Sequence, residues 1–361
     1  MAVRQRYIID HLIKKGCIMA KIIINGREIG TGNTPYIIAE GCDNHMGNVN
    51  VAKEMALQAK LAGADCIKFQ HHLPDEEMLP DVPMSDNFDI PLYEFLKRYA
   101  LKLDDHIEIK KYCDEIGITY LCTPFSYKAA CELEEAKIAY AFKIGSGEMT
   151  DIPSLKRIAE FGRPMIISSG MCTLEELDRT YNALKATEIQ LAFTNCLSEY
   201  PPIYEDVNLG VLKEMQTRYP DVVIGHSDHT PDLYTCYAAV ALGAGIIEKH
   251  VILNKTIPGP DQSVSIDFMD LHNLVDGCRK VFKSLGNEKK VRPKEERIRE
   301  WAFRSIVSTC EIKKGTIIAQ EMIWSKRPGT GIPSWKMDEV IGKRVKRNIG
   351  KNVLIRYEDF E

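Results

Sequence analysis

Eight short apolar runs recur along the chain, and each ends in a polar or ionisable residue. Tyr36-Ile37-Ile38-Ala39 leads into Glu40, Cys66-Ile67-Lys68-Phe69 into Gln70, and Ile118-Thr119-Tyr120-Leu121-Cys122 into Thr123. Phe142-Lys143-Ile144 leads into Ser146 and Glu148, Met165-Ile166-Ile167 into Ser168, and Leu191-Ala192-Phe193 into Asn195. Val222-Val223-Ile224 leads into Ser227 and His229, and Ile246-Ile247 into Glu248 and His250. Stretches of helical periodicity follow the runs, at about 51–62, 104–116, 127–136, 152–161, 173–186, 206–219, 232–242 and 267–285. A strand-then-helix unit repeated eight times predicts a (β/α)₈ TIM barrel, a fold that builds its active site from the C-terminal strand ends. The polar residues that close the runs stand at those ends, so the pattern predicts an enzyme.

Local signals sharpen the boundaries. Lys21-Ile22-Ile23-Ile24-Asn25-Gly26-Arg27 reads as a β-hairpin at about 20–34, before the first barrel strand. Thr173-Leu174-Glu175-Glu176 is a capping box, and Asp267 is placed to cap the last helix. The stretch from His71 to Leu103 is long and carries Pro74, Pro80, Pro83 and Pro91, the mark of a lid or binding loop. The barrel is expected over 19–285 and a charged linker over 286–303. Residues 304–361 have short β-like pieces and turn glycines, which predict a small β-rich domain with too little core to stand easily alone. Residues 1–18 form an N-terminal extension without a secretory apolar core; a start at Met19 accounts for them as well as a functional role does.

Composition narrows the class. The 361 residues are 45% hydrophobic and 27% charged, ordinary values for a globular protein. The net charge of −4 argues against nucleic acid or an anionic membrane surface as partner, and no apolar stretch approaches the ~20 residues of a membrane span. Eleven scattered cysteines without a C-x-x-C pair point to free thiols and a cytoplasmic location.

Two-residue alternation puts Lys68 with Gln70, Ser227 with His229, and Glu248 with His250 on shared strand faces. A lone histidine at such a place is more often a core hydrogen-bonding partner. Two at adjacent strand ends point instead to one divalent ion, with positions left open for substrate. Thr123, Ser146, Ser168, Ser198 and Ser227, with Lys68 and Lys143, form a ring suited to an anionic substrate, although each serine alone would pass for a helix cap. Glu40 and Glu148 are the candidate acid–base groups. Pro258-Gly259-Pro260-Asp261 reads as a rigid turn carrying Asp261 over the mouth.

At these residues the chain resembles the sialic acid synthase family, the phosphoenolpyruvate-condensing nonulosonate synthases. The matching motifs run from Tyr36 to the C-terminus. They include Ile38-Ala39-Glu40, Asn44-His45-x-Gly47, Gly63-Ala64-Asp65-x-x-Lys68-x-Gln70, and Thr123-Pro124-Phe125-Ser126. Lys143-Ile144-Gly145-Ser146-Gly147-Glu148, Ser169-Gly170-Met171, Tyr200-Pro201, Ser227-Asp228-His229-Thr230 and Glu248-Lys249-His250 follow, then the Pro258–Asp261 turn. The tail, with Lys326-Arg327-Pro328-Gly329-Thr330-Gly331, is similar to the family's antifreeze-like SAF domain.

The resemblance implies Mn²⁺ or Mg²⁺ on His229 and His250, with phosphoenolpyruvate held by Lys68, Thr123, Lys143, Ser146, Ser168, Ser198 and Ser227. It implies an N-acetylated amino sugar of the N-acetylmannosamine type near Gln70, Tyr200, Asp261 and Arg327. It further implies a domain-swapped homodimer in which Arg327 of one chain reaches the other's barrel. Catalytic roles fall to Glu40, Glu148 and Lys68. Gly41-Cys42-Asp43 and Met46 depart from the family's commoner Ile-Gly-Val and Asn, and Asn195 and Leu197 from its His and Thr. These departures leave open a legionaminate, pseudaminate or 9-phosphate synthase. A Schiff-base aldolase is the rival of a different class.

Overall fold

The computed structural model describes residues 20–83 and 90–361. The extension at 1–18 lies outside the described residues. The chain separates into two compact units, one ending at Leu285 and one running from Gly286 to Glu361.

The first unit opens with the antiparallel hairpin β1 (Lys21–Ile24) and β2 (Arg27–Gly30). Its two-residue turn, Asn25-Gly26, has φ of 46° and 75°, the left-handed pair that Asn-Gly accommodates most readily. Eight parallel strands then close on themselves: β3 (Tyr36–Glu40), β4 (Cys66–His71), β5 (Thr119–Pro124), β6 (Phe142–Ile144), β7 (Met165–Ser168), β8 (Leu191–Cys196), β9 (Val223–Asp228) and β10 (Ile246–His250). Closure runs through β10 against β3, which pairs Ile246 with Tyr36 and His250 with Glu40. This is the TIM barrel that the apolar runs predicted.

The hairpin plugs the N-terminal end of the barrel. Ile22, Ile24 and Ile29 are fully buried against Ile38, Cys66, Leu121, Ala141, Ile166, Ala192, Val223 and Ile246. Alternation carries each strand from this apolar layer to the next inward position, two residues on. From Ile38, Cys66, Leu121, Ala141, Ile166, Ala192 and Ile246, that step reaches Glu40, Lys68, Thr123, Lys143, Ser168, Thr194 and Glu248. A dry floor thus lies directly beneath a ring of charge and hydroxyls, and each of the seven is buried. A 640 Å³ groove at the floor end, lined by Ile23, Pro164 and Gln190 among others, has only Glu160 and Glu188 as ionisable groups and is remote from the ring.

Helices pack around the outside. The first, Val49–Ala62, is capped by the Asn48 side chain and ended by Gly63 at φ 88°; it buries small residues, Ala52, Ala56 and Ala59, with Met55. The Thr173 capping box and the Asp267 cap form as the sequence predicts. The region after β8 differs. A 3₁₀ turn at Tyr204–Asp206 precedes a helix that begins only at Val211, because Asn208 adopts φ of 47° between them. The proline-rich stretch after β4 also contains regular structure, in the helices Pro74–Glu77 and Leu92–Tyr99. The latter buries Tyr93, Phe95 and Leu96.

The second unit has its own core of Ile306, Ile312, Ile318, Ile323, Ile332, Val340, Val345, Ile349, Ile355 and Phe360. Its antiparallel pair is β11 (Ser305–Ser308) with β12 (Ile323–Lys326), and isolated bridges hold much of the remainder. The charged stretch that reads as linker includes a ten-residue helix, Pro293–Ala302, started by proline at its first position.

Candidate active site

The ring above the apolar floor is a connected network. Lys68 Nζ lies 2.5 Å from Glu40 Oε2 and 2.9 Å from Thr123 Oγ1, with Glu248 Oε1 at 3.8 Å. Lys143 Nζ lies 3.2 Å from the same Glu248 oxygen and 2.5 Å from Ser168 Oγ. Thr194 Oγ1 is 3.0 Å from both Ser168 Oγ and Ser227 Oγ. Burial alone would lower the Lys68 pKa, but the charges of Glu248 and Glu40 outweigh it and raise it, so the ammonium keeps its proton. Burial pushes Glu40 up, and the neighbouring Glu248 carboxylate adds to the rise against the pull of Lys68. Glu40 is therefore the member most ready to take a proton when an anion competes for the lysines.

Ser146 and Ser198 meet at Gly170. Its N–H donates to Ser146 Oγ at 3.0 Å, and a Cβ built on Gly170 would sit 2.3 Å from Ser198 Oγ and 2.6 Å from Ser146 Oγ. Only glycine leaves both hydroxyls room to converge there. Glu148 folds back over Gly145, where a Cβ would fall 2.3 Å from its Oε2. That oxygen is buried without a hydrogen-bond partner among the described residues, and burial raises the Glu148 carboxyl to about 7. Gln70 joins the ring through Glu40, donating to its Oε1 at 2.7 Å, and its own carbonyl lies 3.0 Å from His72 Nε2.

At the rim, His229 and His250 stand with ring centroids 5.1 Å apart, and Tyr200 stacks on His229 at 4.2 Å. His229 Nδ1 donates to the Leu197 carbonyl at 2.6 Å, which fixes the tautomer and leaves Nε2 as a lone-pair donor. His250 is buried, and its Nδ1 has no hydrogen-bond partner among the described residues. The sulfur of Cys42, a His250 nitrogen and an Asp261 oxygen lie within 4.8 Å of one another. An imidazole nitrogen beside a carboxylate and a thiol is a donor set that fits a divalent ion.

Thus Glu40, Lys68, Gln70, Thr123, Lys143, Ser168 and Ser227 meet in one network, Ser146 and Ser198 in a second contact, and His229, His250 and Tyr200 at the rim. Asp261, expected near the sugar, sits with His250 and Cys42. Arg327 lies in the second unit, where its Nε donates to the Ala302 carbonyl at 3.2 Å and its guanidinium stands 5.2 Å from the Trp301 ring centroid.

Several members of the site are not apparent from the strand-end pattern alone. Glu248 bridges the two lysines, and its place on the His250 face was the available signal. Thr194, not Asn195, faces the ring; Asn195 pairs with His226 on the alternate face. His72, reached from Lys68 and Gln70 by the same two-residue step, stacks on Phe125 at 4.1 Å, and its Nδ1 lies 2.9 Å from Glu77.

This arrangement has known counterparts. The sequence model of the NeuB family matches residues 55–290, and that of the SAF domain matches residues 303–361. The chain belongs to the NeuB family. The N-acetylneuraminate-9-phosphate synthase of Homo sapiens is 34% identical over 327 residues, covering 89% of this chain and 91% of that protein. The N,N'-diacetyllegionaminic acid synthase of Legionella pneumophila is 33% identical over 355 residues, covering 94% and 98%. Among solved structures, the N-acetylneuraminic acid synthetase of Leptospira borgpetersenii, in complex with citrate, superposes with a TM-score of 0.71 at 28% identity, covering 78% of this chain and 95% of that one. A NeuB-family barrel followed by a SAF domain therefore accounts for both units. Among the described residues no helix is long and apolar enough to cross a membrane, and the ten cysteines are free thiols.

Proposed function

We propose that this NeuB-family chain is a nonulosonate synthase that condenses phosphoenolpyruvate with an N-acetylated amino sugar of the N-acetylmannosamine type and releases phosphate. The observation that carries the reading is the ring itself: two buried lysines, bridged by Glu248, that face the hydroxyls of Thr123, Ser168, Thr194 and Ser227. Lys68, Lys143 and these hydroxyls, with Ser146 and Ser198, would hold the phosphate and carboxylate of phosphoenolpyruvate. The sugar would lie towards the rim, between Gln70, Tyr200 and Asp261. A divalent ion held by His229 and His250 would supply Lewis-acid polarisation of the sugar's carbonyl oxygen. C3 of phosphoenolpyruvate attacks the sugar's aldehyde carbon; water then adds at C2, and C–O cleavage expels phosphate. Glu148, carboxyl near neutrality and unpartnered, is suited to take the proton from that water.

The Schiff-base aldolase is disfavoured, because it needs a neutral lysine amine and Lys68 is held as ammonium between two carboxylates. Incubating phosphoenolpyruvate with N-acetylmannosamine, its 6-phosphate and 2,4-diacetamido-2,4,6-trideoxyhexoses tests the reading. Sugar-dependent phosphate release with one of them is expected, and none with any sugar would refute it. The same panel decides among the sialic, 9-phosphate, legionaminic and pseudaminic branches.

Two kinetic outcomes follow from the ring. Lys68→Ala should raise the KM for phosphoenolpyruvate by tenfold or more, since a charge-assisted contact contributes ~1.5–3 kcal/mol; an unchanged KM would remove Lys68 from the anion site. If Glu148 acts as base, kcat should climb with pH through about 7, as its carboxyl loses its proton, and Glu148→Gln should abolish that limb. A limb that persists in the variant belongs to another group.

The second unit is proposed to act across a domain-swapped homodimer, with Arg327 of one chain contacting the sugar in its partner's barrel. In support, the Pro293–Ala302 helix buries none of its residues and leaves Ile298 and Trp301, with Phe303 after it, 50%, 57% and 55% exposed. Mixing Arg327→Ala chains with His250→Ala chains, each inactive alone, should restore part of the activity. Mixed dimers that form yet stay inactive would exclude the arginine from the neighbouring site.

A further inference from the structure

Cys42 stands just past the end of the first barrel strand. It follows β3 by two residues and holds φ of 38°, the left-handed region that non-glycine residues rarely occupy. In that conformation its side chain is fully buried, with the thiol beside the Asp261 carboxylate. His250 approaches from β10. The Cys42 sulfur, a His250 nitrogen and an Asp261 oxygen come within 4.8 Å of one another. Donors that share one ion at about 2.0–2.3 Å each lie within roughly twice that distance of one another. His250 is buried, and among the described residues its Nδ1 has no hydrogen-bond partner.

We propose that Cys42 is a direct ligand of the divalent ion, bound as a thiolate beside His250 and Asp261 and adding to the His229–His250 pair, and that it makes the site selective for thiophilic ions. On binding, the metal–sulfur bond replaces the S–H bond and the thiol proton passes to solvent, one per ion. A thiolate favours Zn²⁺, Co²⁺ or Fe²⁺ over Mg²⁺ and Mn²⁺, which prefer oxygen and imidazole donors. The site's preference therefore differs from the Mn²⁺ or Mg²⁺ implied by the family resemblance. The assignment deepens the synthase reading, resting on it for what the ion is used for.

The test is cobalt titration of the full-length, metal-stripped protein, followed by near-ultraviolet absorption. One Co²⁺ per chain with a sulfur-to-cobalt charge-transfer band is expected. Cys42→Ser should lose the band and bind Zn²⁺ at least about tenfold more weakly, while its Mn²⁺ affinity changes less. Cys196→Ser should keep the band, although its sulfur lies 3.9 Å from His229 Nδ1. Stoichiometric cobalt without the band in the wild-type protein overturns the proposal, and that measurement needs no variant to fold. A band that survives in Cys42→Ser, or disappears in Cys196→Ser alone, overturns it as well. The band present without sugar-dependent phosphate release would refute the synthase reading and leave the ligand assignment standing; release without the band would do the reverse.

Discussion

His250→Ala should lose turnover by about a thousandfold or more, and should do so without unfolding. A Lewis acid supplies several kcal/mol to a polarised carbonyl, and each ~1.4 kcal/mol is a factor of ten in rate. The stability side of the prediction follows from the same geometry. Among the described residues the buried Nδ1 of His250 has no hydrogen-bond partner, a state that costs about 1–3 kcal/mol without an ion. Removing the ring removes that cost, which offsets much of the cavity left behind, so the metal-free variant should melt close to the metal-free parent. What it should lose is the upward shift of Tm that the divalent ion confers on the parent by binding only the folded state. Thermal melts of both proteins, chelated and then resupplied with metal, give the four values required. A variant that still gains stability from the ion, or still turns over, would place the ion elsewhere. A metal-free variant that melts far below the parent would make His250 structural.

The barrel and most of its inner ring were legible because alternation is a property of the backbone. Once Ile38, Cys66 and Leu121 form an apolar layer, Glu40, Lys68 and Thr123 must point into the same space two residues later. The error at β8 shows the limit of that rule. The apolar run Leu191-Ala192-Phe193 does not declare its phase, and assigning it one residue off selected Asn195 over Thr194. Other features depend on contacts between distant segments. Asp261 joins Cys42 and His250 because a loop from the last strand returns beside the first, and the left-handed turn at Cys42 has no signature in a cysteine. The Pro293–Ala302 helix was hidden for a different reason: it buries no face, so periodicity had nothing to register.

The histidines at the rim depend on a buried ion pair one residue behind each of them. Asp228 precedes His229 and Lys249 precedes His250, and their side chains meet at 2.5 Å with at most 1% exposure. Asp228 also accepts hydrogen bonds from Thr230 at 2.7 Å and Thr235 at 2.8 Å, and lies 3.2 Å from His226 Nε2. Lys249 is further bonded to the Thr230 carbonyl. Burial opposes ionisation of Asp228, but the His226 hydrogen bond and the Lys249 charge outweigh it and hold the carboxyl far below its usual range. A depressed folded-state pKa stabilises above the unfolded value of ~3.9 and is lost only as pH falls through the folded one, so this contribution should persist into strong acid. Asp228→Ala and Lys249→Met should each destabilise by ~3–5 kcal/mol, because each strands its partner's charge in the interior. The double variant should recover much of that loss, a non-additivity that denaturant unfolding of all four proteins would expose. Additive losses would mean that the two residues act independently. The pair also joins β9 and β10 one residue before His229 and His250, on the opposite strand face, so each single variant, assayed where it is still folded, should bind the proposed divalent ion more weakly than the parent. Unaltered metal affinity in a destabilised variant would confine the pair to holding the barrel together.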